Sequence, residues 1–120
     1  MTLAFKARSV SCADAIGGDI LQVTFDTKPR NEDENGRSTP YVLVSRNFEF
    51  PDSATIEWHD GSDYNGGAEI ISLALTRDRV LIKLDRDLDV DVSFSLSDRR
   101  YAQLSSYLRR MLDEDVFIAH

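Results

Sequence analysis

The sequence predicts an α+β fold, in which a mainly antiparallel sheet of six or seven strands carries one C-terminal helix packed on it. Three observations lead to this prediction. Apolar and polar residues alternate with a period of two along most of the chain, and Gly and Asp clusters separate the alternating runs. One apolar stripe at helical spacing follows the last run. Because the chain has 120 residues, we expect one domain covering residues 1–120.

The first part of the chain predicts two strands followed by a loop. Residues 3–11 form the first strand, because apolar residues alternate there with Lys and Arg. The Gly17-Gly18 pair then turns the chain. Residues 20–26 alternate regularly and form a half-buried second strand. Residues 28–39 contain Pro, Gly and clustered acids, so they are predicted to be a polar loop.

The same alternation predicts five further strands, at residues 41–47, 55–60, 69–75, 79–85 and 90–96. A Gly-rich loop over residues 60–67 is expected between the second and third of these. The third and fourth are separated by Thr76-Arg77-Asp78 alone, which predicts a tight hairpin.

A helix is predicted from Ser97 or Asp98, either of which can cap its N-terminus, to about Leu112. Its apolar stripe recurs every three or four positions and consists of Tyr101, Leu104, Leu108 and Met111 or Leu112. A stripe of this kind must be buried, so we expect the helix to pack on the sheet with Leu104 in the core.

The charge of the chain argues against nucleic acid and anionic membranes as ligands. The sequence has 14 Lys and Arg against 21 Asp and Glu, which gives a formal net charge of -7. Phosphate binding needs clustered basic residues. The basic cluster of the predicted helix, Arg99, Arg100, Arg109 and Arg110, is expected to be structural or peripheral, with pairing to the acids that follow the helix.

Cysteine usage and the N-terminal residues predict a cytoplasmic protein. Cys12 is the single cysteine, so it forms no disulfide within the chain and is expected to be inert. The first residues lack the pattern of a signal peptide, and no apolar run reaches the length of a membrane span. We expect no cofactor.

The most informative segment lies between Asn47 and Thr76, which contains no Lys or Arg. Its six carboxylates are Glu49, Asp52, Glu57, Asp60, Asp63 and Glu69. Trp58 and Tyr64 flank the Gly-rich loop, and aromatic residues beside negative charge are typical of an interface with a cationic protein. The predicted partner-binding residues are therefore Glu57, Asp60, Asp63 and Tyr64. The alternative, a solvated acidic hairpin with Trp58 in the core, stays open.

The catalytic candidates are few. A small metal-dependent hydrolase using His59, Asp60 and Asp63 is one alternative function, since imidazole and carboxylates bind divalent ions. His59 is expected on the strand face opposite Trp58, where a solvated side chain is the ordinary outcome. A structural assembly module is a further alternative. We predict no catalytic residue and no metal site, and hence a protein that is not an enzyme.

Three elements of the sequence resemble the immunity protein 10 family of bacterial polymorphic toxin systems. They are the strand Tyr41-Val42-Leu43-Val44-Ser45-Arg46, the element Tyr64-Asn65-Gly66-Gly67, and the turn Thr76-Arg77-Asp78-Arg79-Val80, followed by an amphipathic helix. The resemblance covers residues 41–112. It implies a small intracellular protein that binds and blocks a cognate toxin without catalysis. It does not identify the toxin, and it leaves the oligomeric state open between monomer and dimer.

Because the chain is acidic, the toxin is expected to be a basic, nuclease-like domain. Two interpretations of the Tyr64–Gly67 element remain open. The element either belongs to the toxin-binding surface, or is there because the fold needs that turn, with Tyr64 covering the core.

Overall fold

The structure, a computed structural model, describes residues 2–27, 39–50 and 54–119. Within these residues it contains ten strands and one α-helix. The strands are β1 (Thr2–Lys6), β2 (Ser9–Ala15), β3 (Ile20–Asp26), β4 (Tyr41–Asn47), β5 (Thr55–His59), β6 (Tyr64–Ala68), β7 (Ile70–Thr76), β8 (Arg79–Leu84), β9 (Asp89–Ser93) and β10 (Phe117–Ala119), and the helix is α1 (Asp98–Met111).

The strands form two five-stranded sheets. Sheet A has the order β1-β9-β8-β7-β10, and sheet B has the order β2-β3-β4-β5-β6. All neighbours in sheet B are antiparallel. In sheet A the central strands are antiparallel, whereas the two edge strands β1 and β10 join in parallel.

The chain passes from one sheet to the other at two sharp corners. At the first, the Ala7 N–H donates to Ser93 of sheet A at 2.8 Å, and the next N–H, that of Arg8, donates to Asp26 of sheet B at 2.7 Å. At the second, Glu69 stands between β6 and β7, and its N–H donates to Asp85 Oδ1 at 3.0 Å. The two sheets are therefore held together by the backbone as well as by the core.

The core lies between the inner faces of the two sheets and α1, which together form one buried cluster. Sheet B contributes alternate residues such as Val23, Val44 and Trp58, and sheet A contributes residues such as Leu75 and Val90. The rings of Phe25 and Phe94 stack with their centroids 6.1 Å apart. Period-two alternation places these side chains inside and leaves the other face of each sheet exposed.

The helix begins and ends as the sequence predicts. Ser97 is the N-cap and accepts a hydrogen bond from the Arg100 N–H at 3.3 Å. Its buried stripe is Leu104, Leu108 and Met111, which pack on the core while α1 lies against β2, β3 and β10. No helix in the described part of the chain is long and apolar enough to cross a membrane.

The α+β class, the C-terminal helix and the β7–β8 hairpin are confirmed, whereas the predicted sheet of six or seven strands is matched only roughly, because the ten described strands form two sheets of five. The predicted first strand, residues 3–11, is two strands in different sheets, because the chain bends at Ala7 and Arg8. The short strand β10 was not predicted. The polar loop predicted over residues 28–39 lies outside the described residues except for Thr39.

Candidate functional site

The site is built on the hairpin of β5 and β6, at one edge of sheet B. Sequence reasoning placed a loop over residues 60–67, but the loop is shorter, since β6 already begins at Tyr64. The turn consists of residues 60–63. Asp60 closes it, because Asp60 Oδ1 accepts the N–H groups of Asp63 at 2.7 Å and Ser62 at 2.8 Å. Gly61 has φ +100°, which favours glycine.

These hydrogen bonds give Asp60 a structural role, because its carboxylate closes the turn. The N–H groups of Asp63 and Ser62 hold the pKa of the Asp60 carboxyl below its ordinary value, because they stabilise the charged form. Asp63 is exposed beside it. Asp60 is therefore a turn residue that adds negative charge, while Asp63 contributes charge from the solvent side of the turn.

His59 lies on the outer face of sheet B, opposite Tyr41 on β4. The two rings stack with their centroids 6.0 Å apart. The Gly61 N–H donates to His59 Nδ1 at 3.0 Å. His59 is thus engaged by its own turn, and its face matches the prediction.

Glu57 and Tyr64 are joined directly across the hairpin. The Tyr64 hydroxyl donates to Glu57 Oε2, and this hydrogen bond raises the pKa of Tyr64. The bond is possible because Gly66 stands between them. A Cβ at Gly66 would lie 3.3 Å from Glu57 Cβ and 3.4 Å from the Tyr64 hydroxyl oxygen. The tyrosine covers the glycine of an edge strand, as aromatic side chains do in other sheets.

Gly67 makes a bulge in the same strand. The register shifts between Ile56 and Glu57, which pair with Ala68 and Gly66, so Gly67 has no partner on β5. Its φ of +78° is a conformation that other residues adopt at a cost. The Arg86 guanidinium comes within 3.9 Å of the place where a Cβ of Gly67 would lie.

The aromatic pair expected at an interface is divided between the two faces of the sheet. Trp58 is only 5% exposed and belongs to the core, whereas Tyr64 is 59% exposed. Tyr64 therefore does not cover the core, which corrects one of the two interpretations of its motif. Burial raises the pKa of Tyr41, and the nearby charges of Glu57 and Asp26 raise it further.

The outer face of sheet B has almost no positive charge. The described strands of this sheet contain one basic residue, Arg46, and Arg46 points to the opposite face. There it donates from Nη1 to the Met111 carbonyl at 2.8 Å. We call the partly or fully exposed set of Tyr41, Glu57, Asp60, Asp63 and Tyr64 the acidic face.

An open groove of about 450 Å³ lies on this face, along β5 and β6. Its lining includes Ser45, Thr55, Glu57, Tyr64, Gly66 and Gly67. Ser45 and Thr55 are linked by a hydrogen bond of 3.1 Å between their hydroxyl oxygens. Glu57 is half-buried at the side of the groove, so a carboxylate, two hydroxyls and a tyrosine ring face the same space.

Of the predicted partner-binding residues, Glu57 and Tyr64 are in contact, and Asp60 and Asp63 share the adjacent turn. The metal alternative concerns a different set, namely His59, Asp60 and Asp63. Within residues 2–27, 39–50 and 54–119, no set of three His, Cys, Asp or Glu side chains is placed to hold a metal ion. Among the six carboxylates, Asp52 lies outside the described residues.

Sequence reasoning missed the structural roles of two arginines. Arg46 connects sheet B to the C-terminus of α1, where a positive charge is favourable. Arg77 donates to the Leu96 carbonyl and to Asp98 Oδ1, both at 2.8 Å, and lies over the Tyr101 ring at 4.9 Å. Arg77 therefore connects the β7–β8 turn to the beginning of α1.

Comparison with known proteins adds no name to this geometry. No family model, no curated protein and no solved structure matches the chain.

Proposed function

We propose that this chain is an immunity-type inhibitor that binds and blocks a toxin of a bacterial polymorphic toxin system in the cytoplasm. The acidic face would contact a basic toxin domain, such as a nuclease-like one. The observation that supports this most is that the described strands of sheet B place no Lys or Arg on its outer face, next to an exposed tyrosine. Uncompensated negative charge speeds association with a cationic surface and disfavours acidic partners.

The geometry also fits the needs of a protein interface. Tyr41 and Tyr64 offer aromatic contact area that is held in place, and the carboxylates surround them. Aromatic residues at the centre of a polar rim contribute most of the affinity in many interfaces. The sequence resemblance to the immunity protein 10 family supports the same proposal independently of charge.

Growth rescue tests the proposal. The proposal requires that a secreted protein with a toxic C-terminal domain is encoded beside this chain, and that domain is expressed alone and together with the chain. We expect toxicity alone and restored growth with the chain. Toxicity that persists at equal expression of the two proteins, with no complex on size exclusion, would contradict the proposal.

The contribution of the acidic face is tested with Asp63→Lys against Glu114→Lys, which changes the formal charge equally beyond the end of α1. We expect Asp63→Lys to slow association by about tenfold at low salt, and Glu114→Lys to have a much smaller effect. Asp60 is unsuitable for charge reversal because its carboxylate closes the turn. Equal effects of the two variants would place the contact surface elsewhere.

A further inference from the structure

We infer that the groove beside Glu57 is a receptor for one arginine side chain of the partner protein. This inference rests on the proposed function and specifies the chemistry of its central contact. Four features of the described residues lead to it: the tethered carboxylate of Glu57, the ring of Tyr64, the hydroxyl pair at Ser45 and Thr55, and the position of Arg86.

The carboxylate of Glu57 is oriented so that it can accept hydrogen bonds from a cation. The Tyr64 hydroxyl occupies Glu57 Oε2, so Glu57 is fixed in orientation while its other oxygen is available to accept. Among the described residues, the ion pairs involve other carboxylates and not Glu57. A half-buried carboxylate without a cationic partner favours the binding of one from outside.

The shape of the groove favours arginine over lysine. A guanidinium is planar, donates several N–H groups in fixed directions and stacks on aromatic rings. Here the exposed ring of Tyr64 borders the carboxylate, and the hydroxyl oxygens of Ser45 and Thr55 are further acceptors in the same groove. The ammonium group of lysine would pair with the charge of Glu57. It has no planar face to stack on the ring of Tyr64 and no fixed set of N–H groups to match the acceptors.

The glycines determine where the cation lies. Because Gly66 has no side chain, the Tyr64 hydroxyl lies over it and reaches Glu57, which fixes the carboxylate at this end of the groove. At the other end, the positive charge of Arg86 beside Gly67 repels a second cation. The groove therefore has room for one guanidinium, at the Glu57 end.

The experiment titrates the purified full chain with acetyl-arginine amide, using acetyl-lysine amide and the neutral acetyl-citrulline amide for comparison, and follows backbone amides by NMR. We expect saturable shifts at Glu57, Tyr64, Gly66 and Gly67, with a dissociation constant in the millimolar range. Lysine should bind several-fold more weakly than arginine, and citrulline weaker still. Shifts that concentrate outside the groove, or equal binding of citrulline and arginine, would overturn the inference.

Three variants sharpen the result. Glu57→Gln keeps the shape and should weaken arginine binding by about fivefold or more, because the charge-assisted bond is lost. Tyr64→Phe keeps the ring and should weaken it by about twofold to threefold, since Glu57 loses its tether. Glu114→Gln is the matched control and should leave binding within about twofold, because Glu114 lies beyond the end of α1 and does not line the groove. Glu57→Gln binding arginine as tightly as the native chain would also overturn the inference.

The outcome separates this inference from the proposed function. If the chain neutralises its toxin while the groove shows no preference for arginine, the receptor inference fails and the immunity proposal stands. If the groove binds arginine selectively but the chain neutralises no toxin, the immunity proposal fails and the groove remains a guanidinium site.

Discussion

The two exposed sheet faces of this molecule differ in how they balance charge. The strands of sheet A contain three basic and two acidic residues, whereas those of sheet B contain one basic and three acidic residues. On sheet A, Arg79 pairs with Asp91 at 2.9 Å, and Lys83 lies opposite Asp89. Among the described residues, charge on sheet A is paired across neighbouring strands, whereas Glu57, Asp60 and Asp63 of the acidic face are in none of the ion pairs with Lys or Arg.

The faces also differ in apolar exposure: sheet A exposes aliphatic side chains, and the acidic face does not. Sheet A exposes Leu81 and Ile118, at 44% and 46%, on either side of Ala74, but this short row ends at Asp91. The acidic face exposes tyrosine instead. A net charge of -7 therefore does not describe either face, because the described ion pairs include a carboxylate of sheet A and none of the acidic face.

The largest expected effect comes from the core that both faces share. Leu104 is fully buried, so Leu104→Ala should lower the free energy of unfolding by about 2 to 5 kcal/mol. Urea unfolding, followed by Trp58 fluorescence for sheet B and by far-UV circular dichroism for the whole chain, measures it. Both probes should shift together, because one core serves both sheets.

The control for Leu104 is its exposed neighbour, as Gln103→Ala, which should change stability by less than about 0.5 kcal/mol. If sheet B unfolds separately in the Leu104 variant, the two faces do not share one cooperative core.

A smaller change affects sheet B alone. Gly67→Ala should cost about 1 to 2 kcal/mol, because alanine is strained at a φ of +78°. Gly67→Asn should cost less, since asparagine tolerates this conformation better. Urea denaturation gives both values. Equal stability of the alanine variant and the native protein would mean that the bulge relaxes freely.

The comparison of charge balance predicts a difference in salt dependence. Asp91→Asn breaks the partly exposed pair with Arg79 and should cost up to about 1 kcal/mol at low salt. Glu57→Gln, on the acidic face, breaks no described ion pair. It should therefore cause no loss of stability that depends on salt. Unfolding at about 0.02 M and about 1 M salt distinguishes them, because screening weakens the Arg79 pair. A larger salt-sensitive loss for Glu57→Gln would reverse the comparison.

The smallest effect concerns the turn of the acidic face at low pH. The folded state lowers the pKa of Asp60, so this carboxylate adds stability above its unfolded pKa, and that stability is lost as pH falls through the folded pKa. Asp60→Asn keeps an acceptor oxygen but does not titrate. We expect the native protein to lose its small advantage over Asp60→Asn below about pH 4. An advantage that grows on acidification would contradict this sign.

Much of the fold was readable from local patterns. The strand at residues 20–26, the β7–β8 hairpin and the Ser97-capped helix follow from alternation, turn length and a helical stripe. The division into two sheets was not readable. Alternation continues through Ala7 and Arg8, and the bend there depends on pairing with Ser93 and Asp26, which are distant in sequence.

The candidate site was predictable in composition and less so in geometry. The sequence located Glu57 and Tyr64, but their contact depends on the lack of a side chain at Gly66. Asp60 looked like surface charge because its turn bonds to Ser62 and Asp63 are invisible in composition. The resemblance residues also have structural contacts, since Arg46 and Arg77 each attach α1 to a sheet. Those two motif residues therefore have structural roles in the described part of the chain.

The parallel pairing of β1 with β9 imposes an order on assembly during synthesis. Leu3 lies opposite Val90 and Phe5 opposite Val92, so β1 has no place in sheet A until β9 has been made. At typical rates of translation, the ribosome needs roughly 4 to 17 s to cover that interval. During this time Leu3 and Phe5 belong to an apolar strand that has no partner in sheet A. The first strand to be made is therefore among the last to find its place, and sheet A is completed only after β9 has left the ribosome.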